Sequence, residues 1–236
     1  MSIHLATYGD ALYTNLKQGF IRSAEESSFF DKIHSFSHLD IDNTFYKTVY
    51  EPVKDSRGGG YWIWKPYFVK QVLDQLEDGE ILFYCDAGSH INSNGRQRFS
   101  EYINMVKHSK TGTLDFGLFW REYQFTKQEV FDFFRSPLQI INSGQLVGGI
   151  LIIRKCGHAM FLVNKWYDTA VNHPDLFTDD KGSRQHPEFI DHRHDQSVFS
   201  VIRKTYGATI IPNETFFHDY ERDGQKYPIW ATQLKA

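Results

Sequence analysis

The strongest constraint on the fold is a run of five largely apolar residues, Ile81-Leu82-Phe83-Tyr84-Cys85, that stops at a carboxylate, Asp86. The run is bounded by Gly79 on one side and Ala87-Gly88-Ser89 on the other. That pattern predicts a strand buried on both faces, as in a sheet covered by helices. In open α/β sheets, ligands sit beyond the carboxyl ends of the strands. An Asp buried there without a partner is costly. Either it closes an Asx-type turn, or it meets a metal, a sugar hydroxyl or a diphosphate-bound cation. The small residues that follow let a ligand approach the backbone closely.

The rest of the chain alternates in the same way. Strands are predicted at 3–7, 32–36, 114–120, 148–153 and 208–211. A weak helix is predicted around 16–27. A firmer one runs from Pro66, a first-turn proline, through Phe68, Val69, Val72, Leu73 and Leu76 to Gly79, which closes it. Further helices carry the stripes Phe99, Tyr102, Ile103 and Val106, and Leu162, Val163 and Trp166. Thr126-Lys127-Gln128-Glu129 reads as a capping box opening a helix through Phe134. A last helix runs from about Asp195 to Lys204 and ends at Gly207. Gly58-Gly59-Gly60 reads as a flexible break, residues 173–190 as a polar loop, and 213–236 as an irregular aromatic tail. Alternating strands and helices predict an α/β/α sandwich with a mostly parallel central sheet.

The length of 236 residues fits one large α/β domain or two small ones. A formal net charge of −3 argues against nonspecific nucleic-acid binding, which needs a basic surface. The two cysteines, Cys85 and Cys156, sit in or beside strand-like runs and read as small buried hydrophobes. The first residues lack a basic and apolar leader pattern, and no apolar run approaches the ~20 residues of a membrane helix. A cytoplasmic protein is expected, with any membrane association peripheral.

Gly60-Tyr61-Trp62-Ile63-Trp64-Lys65-Pro66, followed by Tyr84-Cys85-Asp86-Ala87-Gly88, resembles small GT-A-type glycosyltransferases of bacterial surface-polysaccharide loci and large DNA viruses. His192-Arg193-His194-Asp195-Gln196-Ser197 is similar to that family's helix-opening His-Asp-Gln motif. Pro228-Ile229-Trp230-Ala231-Thr232 resembles its ending. The resemblance spans nearly the whole chain. It implies one GT-A-like domain over 1–236, with nucleotide-sugar binding up to about residue 110 and the acceptor side and tail in 111–236. It also implies transfer of a sugar, a hexose or deoxyhexose from a UDP-linked donor, to a saccharide acceptor in glycan synthesis. Asp86-Ala87-Gly88 stands where the family has Asp-x-Asp, so the second carboxylate is missing.

On that basis Thr7, Tyr8 and Gly9 are expected at the base and ribose, and Lys65, Asp86, Ala87 and Gly88 at the diphosphate. Mn²⁺ or Mg²⁺ is expected on Asp86, with His218 as a possible second ligand. Tyr61, Trp64, Gly148, Gly149, His192 and His194 are expected at the substrates. Asp195, near a helix start that favours its ionised form, is either an N-cap or the general base of an inverting transfer. Two other readings compete. One is a metallohydrolase on His192, His194 and Asp195, with His186 or His218 added. The other is a noncatalytic carbohydrate- or nucleotide-binding module, which the 16% aromatic content also fits.

Overall fold

The structure is a computed structural model that describes residues 1–232. The strands are β1 (Ile3–Tyr8), β2 (Lys32–Phe36), β3 (Ile81–Cys85), β4 (His90–Ile91), β5 (Thr113–Arg121), β6 (Gly144–Leu146), β7 (Ile150–Arg154), β8 (Ile210–Pro212) and β9 (Ile229–Trp230). The longer helices are α1 (Thr14–Ser27), α2 (Trp64–Gln75), α3 (Arg96–His108), α4 (Gln128–Phe134), α5 (Gly157–Asn172) and α6 (His194–Tyr206). Seven strands form the central sheet in the order β2-β1-β3-β7-β5-β6, with β8 beside β5. β1 pairs in parallel with β2 and β3, and β8 in parallel with β5. β7 enters antiparallel between β3 and β5.

Burial explains why β3 shows no alternation. Leu82 and Tyr84 face one core, with Ala6, Leu151, Phe68, Val72, Trp166 and Phe199. Ile81, Phe83 and Cys85 face the other, with Leu5, Phe20, Phe99, Tyr102 and Phe116. α2, α5 and α6 cover the first face, and α1 and α3 the second, so both sides of the strand must be apolar.

Two buried ion pairs fasten α6 to the sheet. The Arg203 guanidinium meets Asp115 of β5 and also donates to the Val147 carbonyl at 3.1 Å. Lys204 Nζ lies 2.7 Å from Glu122, which is wholly buried. Glu122 also changes the start of α4. The Thr126 hydroxyl donates to Glu122 Oε2 at 2.7 Å, so the expected capping box does not form and Lys127 becomes the N-cap residue. The buried carboxylate needs donors more than the helix end does, since burial without them is costly.

The glycine break is an ordered turn. Gly58, Gly59 and Gly60 have φ of +65°, +58° and +93°, and Tyr61 and Trp62 continue at +56° and +54°. These are five successive left-handed residues, which only a glycine-rich segment adopts at low cost.

The tail is fastened rather than irregular. β9 pairs antiparallel with β4, and the Thr232 hydroxyl donates to the Gly88 carbonyl at 2.6 Å. Glu214 takes both Nε and Nη2 of Arg98 at 2.8 Å and the Tyr102 hydroxyl at 2.7 Å. Gly95 lets the tail approach, because a Cβ there would lie 2.3 Å from the Pro228 nitrogen. Gly95→Ala is therefore expected to destabilise the protein by about 1–3 kcal/mol, as overpacking against backbone does. Chemical denaturation measures the loss, and limited proteolysis should show earlier cutting within residues 213–232 than in the wild type.

Candidate active-site cleft

A cleft of about 1140 Å³ opens at the carboxyl ends of β1 and β3. Part of its wall is N-terminal: Tyr8 at the end of β1 with Gly9 and Asp10 after it, Asp86 to Ser89 after β3, Gly58, Gly59 and Trp62 of the glycine turn, and Trp64 at the start of α2. The remainder comes from later elements, chiefly Trp120 of β5, Arg193, Gln196, and Thr215 and Phe216 of the tail. The volume lies just above the range of about 300–1,000 Å³ typical of small-molecule sites, so two substrates have room.

Asp86 is placed by its surroundings. Its N–H donates to the Gly149 carbonyl at 2.8 Å, and its own carbonyl accepts the Ser89 N–H at 3.0 Å, closing a turn. Its Oδ1 accepts the Tyr84 hydroxyl at 2.9 Å and lies 3.2 Å from Lys65 Nζ. The side chain remains 42% exposed, so the carboxylate looks into the cleft while being held from below. Gly149 makes this possible, because a Cβ there would sit 2.6 Å from Asp86 Oδ2. Gly148 plays the same part for α6, its missing Cβ leaving room for Gln196.

Lys65 is buried at the start of α2, beneath the cleft. Its Nζ lies 2.8 Å from Asp195 Oδ2 as well as beside Asp86, and donates to the Gly148 carbonyl at 3.3 Å. Burial works against the ammonium, but the Asp195 and Asp86 carboxylates outweigh it and hold it above the ordinary lysine value. Burial pushes the Asp195 carboxyl up to about 6, against the pull of Lys65. Neither residue is on the cleft wall. Lys65 has its charge engaged below the floor rather than offered to a diphosphate. Asp195 is buried in an ion pair and does not line the cleft, so it is not placed to take an acceptor's proton. The preference for inversion rested on that base and loses its support.

The histidine expectations also change. Both nitrogens of His192 are taken: Nδ1 accepts the Lys127 N–H at 3.3 Å and Nε2 donates to the Leu176 carbonyl at 2.9 Å. Burial pushes its pKa well down. His194 bonds the Phe177 carbonyl through Nδ1 at 2.7 Å and packs between Tyr61 and Trp62. Neither ring reaches the cleft, and Tyr61 serves as packing for His194. His192 has no lone pair to give a metal, which removes the hydrolase arrangement. His218 is exposed in the tail and is not part of the cleft wall. Thr7 is wholly buried behind the wall, whereas Tyr8 reaches the cleft while stacked on Trp64, with ring centroids 3.7 Å apart. Gly9, Trp64, Ala87, Gly88 and Gly149 line the cleft.

Among the described residues, no group of three or more His, Cys, Asp or Glu side chains is arranged to hold a metal ion. Of the expected metal ligands only Asp86 faces the cleft, whose wall also carries the Asp10 and Asp55 carboxylates. That fits an ion of the Mg²⁺ type, which keeps waters and binds through one or two carboxylates plus substrate phosphates. It does not make a closed protein cage.

No protein-family model matches the sequence, and no curated protein matches it. Solved structures do resemble it. A glycosyltransferase involved in the glycosylation of the major capsid of PBCV-1 aligns with a TM-score of 0.59 at 10% identity, over 98% of this chain and 93% of that one. The galactosyltransferase LgtC, in complex with donor and acceptor sugar analogues, aligns with a TM-score of 0.51 at 11% identity, over 96% and 86% of the two chains. The fold is thus that of GT-A glycosyltransferases.

Lys65→Met would leave the Asp86 and Asp195 carboxylates facing each other. Breaking a buried pair in this way is expected to cost about 3–5 kcal/mol. Without the ammonium, the Asp195 pKa would rise further above 6 in the folded state, while the unfolded chain keeps the ordinary value near 3.8. The folded variant then binds a proton that the unfolded chain lacks, so its stability falls as pH rises through that interval. Urea denaturation at pH 5 and pH 8 should show a deficit that is larger at pH 8. An equal deficit at both would show that the carboxylates do not face each other.

Proposed function

We propose that the protein transfers a sugar from a nucleotide diphosphate sugar, UDP-linked in the first instance, to a saccharide acceptor in glycan synthesis. The observation that carries this reading is the position of Asp86. It stands at the carboxyl end of a central strand, half exposed, on the wall of a cleft large enough for two substrates. In sheets of this kind that is where nucleotides bind. The GT-A fold supports the same reading.

In the reaction the bond from the sugar's anomeric carbon to the diphosphate breaks and a bond to the acceptor oxygen forms. Negative charge develops on the departing diphosphate and has to be stabilised. Asp86 accepts hydrogen bonds from the donor's ribose or sugar hydroxyls through Oδ2. The same oxygen would hold a Mn²⁺ or Mg²⁺ ion, which when bound supplies positive charge to the diphosphate. Lys65 and Tyr84 fix the direction of the Asp86 carboxylate. Asp195 keeps Lys65 in place and is a positioning residue.

Thermal denaturation with a panel of nucleotide sugars, with and without Mn²⁺, tests the reading. A donor at a hundred times its dissociation constant adds about 2.7 kcal/mol, or roughly 5–11 °C in a chain of this size. If no nucleotide sugar moves the midpoint in either condition, the reading is wrong. Gly149→Ala separates catalysis from mere binding. The new methyl pushes the Asp86 carboxylate off its Tyr84 and Lys65 partners, so stability should fall by about 1–3 kcal/mol while the protein stays folded. Turnover should fall about 10²-fold, as expected for a misplacement of about 1 Å. A protein that binds donors but turns none over, before or after this change, would be a binding module.

A further inference from the structure

We propose that Arg193 is an anion receptor for the acceptor, so that the sugar receiving the glycosyl group carries an acidic substituent, a carboxylate or a phosphate. The inference rests on the transferase reading and narrows its substrate class.

Arg193 lies immediately before α6, on the cleft wall. Its guanidinium carbon sits 3.6 Å from the centroid of the Phe125 ring. A guanidinium has five N–H donors, and here Nη1 donates to Gln145 Oε1 at 3.3 Å. No other side-chain acceptor engages it among the described residues. The carboxylates that influence it are committed elsewhere. Asp191 pairs with Arg57 at 2.8 Å, and Glu122 with Lys204 at 2.7 Å. Gln145 is itself fixed, since its Nε2 donates to Thr126 Oγ1 at 3.1 Å and its Oε1 also accepts from Gln196 at 2.7 Å. The result is a positioned, partly desolvated cation with no counter-charge and with donors still unused.

A cation in that condition favours an anionic ligand, and a planar fork fits a carboxylate or phosphate through two parallel hydrogen bonds. The surroundings point to a sugar as the carrier. Trp120 lies edge-on to Phe125 with centroids 5.7 Å apart and is 45% exposed, and Phe216 is 54% exposed on the same cleft. Such aromatic faces suit the apolar face of a sugar ring. The donor's diphosphate is the other anion the cleft would hold. Nucleotides, however, bind at the strand ends, where Asp86 stands. Arg193 and its neighbours Phe125, Trp120 and Gln145 all come from the later half of the chain.

The test is calorimetric titration of the full chain with four probes: UDP, a disaccharide ending in glucuronate, one ending in glucose 6-phosphate, and their neutral glucose-ended counterpart. At least one acidic sugar should bind about tenfold or more tighter than the neutral one, as charge-assisted hydrogen bonds require. The tighter of the two acidic sugars identifies the substituent. Arg193→Gln should erase that difference and leave UDP and the neutral sugar within about twofold of wild type. Arg193→Lys should retain part of it, because the charge stays while the fork is lost. Should Arg193→Gln fail to fold by thermal denaturation, Arg193→Lys decides alone: it must lose more affinity for the acidic sugar than for UDP. Equal binding of acidic and neutral sugars by wild type overturns the proposal. So does a loss of UDP affinity in Arg193→Gln equal to the loss for the acidic sugar. Absence of UDP binding in wild type counts against the transferase reading, while the acidic-to-neutral comparison still decides this one.

Discussion

The ion cluster of Lys65 with Asp86 and Asp195 holds the cleft together. One ammonium joins the start of α2, the end of β3 and the first turn of α6, and through the Gly148 carbonyl it also touches the link between β6 and β7. Removing three charges from water is expensive, and their mutual attraction offsets this only when the geometry is good. Here Lys65 and Asp195 are closed off and Asp86 is left partly open. The cluster therefore presents a single carboxylate to the cleft, backed by a cation that moderates its charge. A hydroxyl-rich or cation-accompanied ligand matches that surface better than a bare anion does.

A second polar network, around Glu122, builds the later part of the wall. Glu122 gathers Lys204, Ser200, Thr126 and Gln145. Gln145 in turn sets Arg193 and Gln196, which do face the cleft. The two networks meet at Gly148-Gly149, where one missing side chain admits Gln196 and the next admits Asp86. Neither glycine has a positive φ, so the requirement is for space rather than for backbone freedom.

Much of the fold was legible because helices cover β3 on both faces and force an uninterrupted apolar run. Pro66 and Gly79 located α2 but not its limits: the helix starts at Trp64 and ends at Gln75 with Leu76 as its C-cap, and Gly79, with a φ of +92°, turns the chain beyond it. Asp86 was legible for the same reason, as a charge at the end of that run. Lys65 and Asp195 were not, since nothing local shows that two distant carboxylates will close over a lysine. The His192-x-His194 pair misled because residue type does not say which way a ring turns; here backbone groups claim both nitrogens of His192 and Nδ1 of His194, and His194 Nε2 is buried away from the cleft. Arg193 sat inside the motif and went unread for want of knowing that Asp191 and Glu122 have other partners. Trp120 read only as a strand residue, and Phe216 only as part of the tail.

The fastening of residues 213–232 has a consequence for how the molecule is made. The Gly88 carbonyl, beside Asp86, is bonded by Thr232, and β4 has no partner until β9 arrives. Domains generally fold as units, and here the central sheet needs β7 between β3 and β5 and buried Lys65 needs Asp195 of α6. The cleft gains its final side only with the last twenty or so residues described, so the site cannot be complete until they have been made.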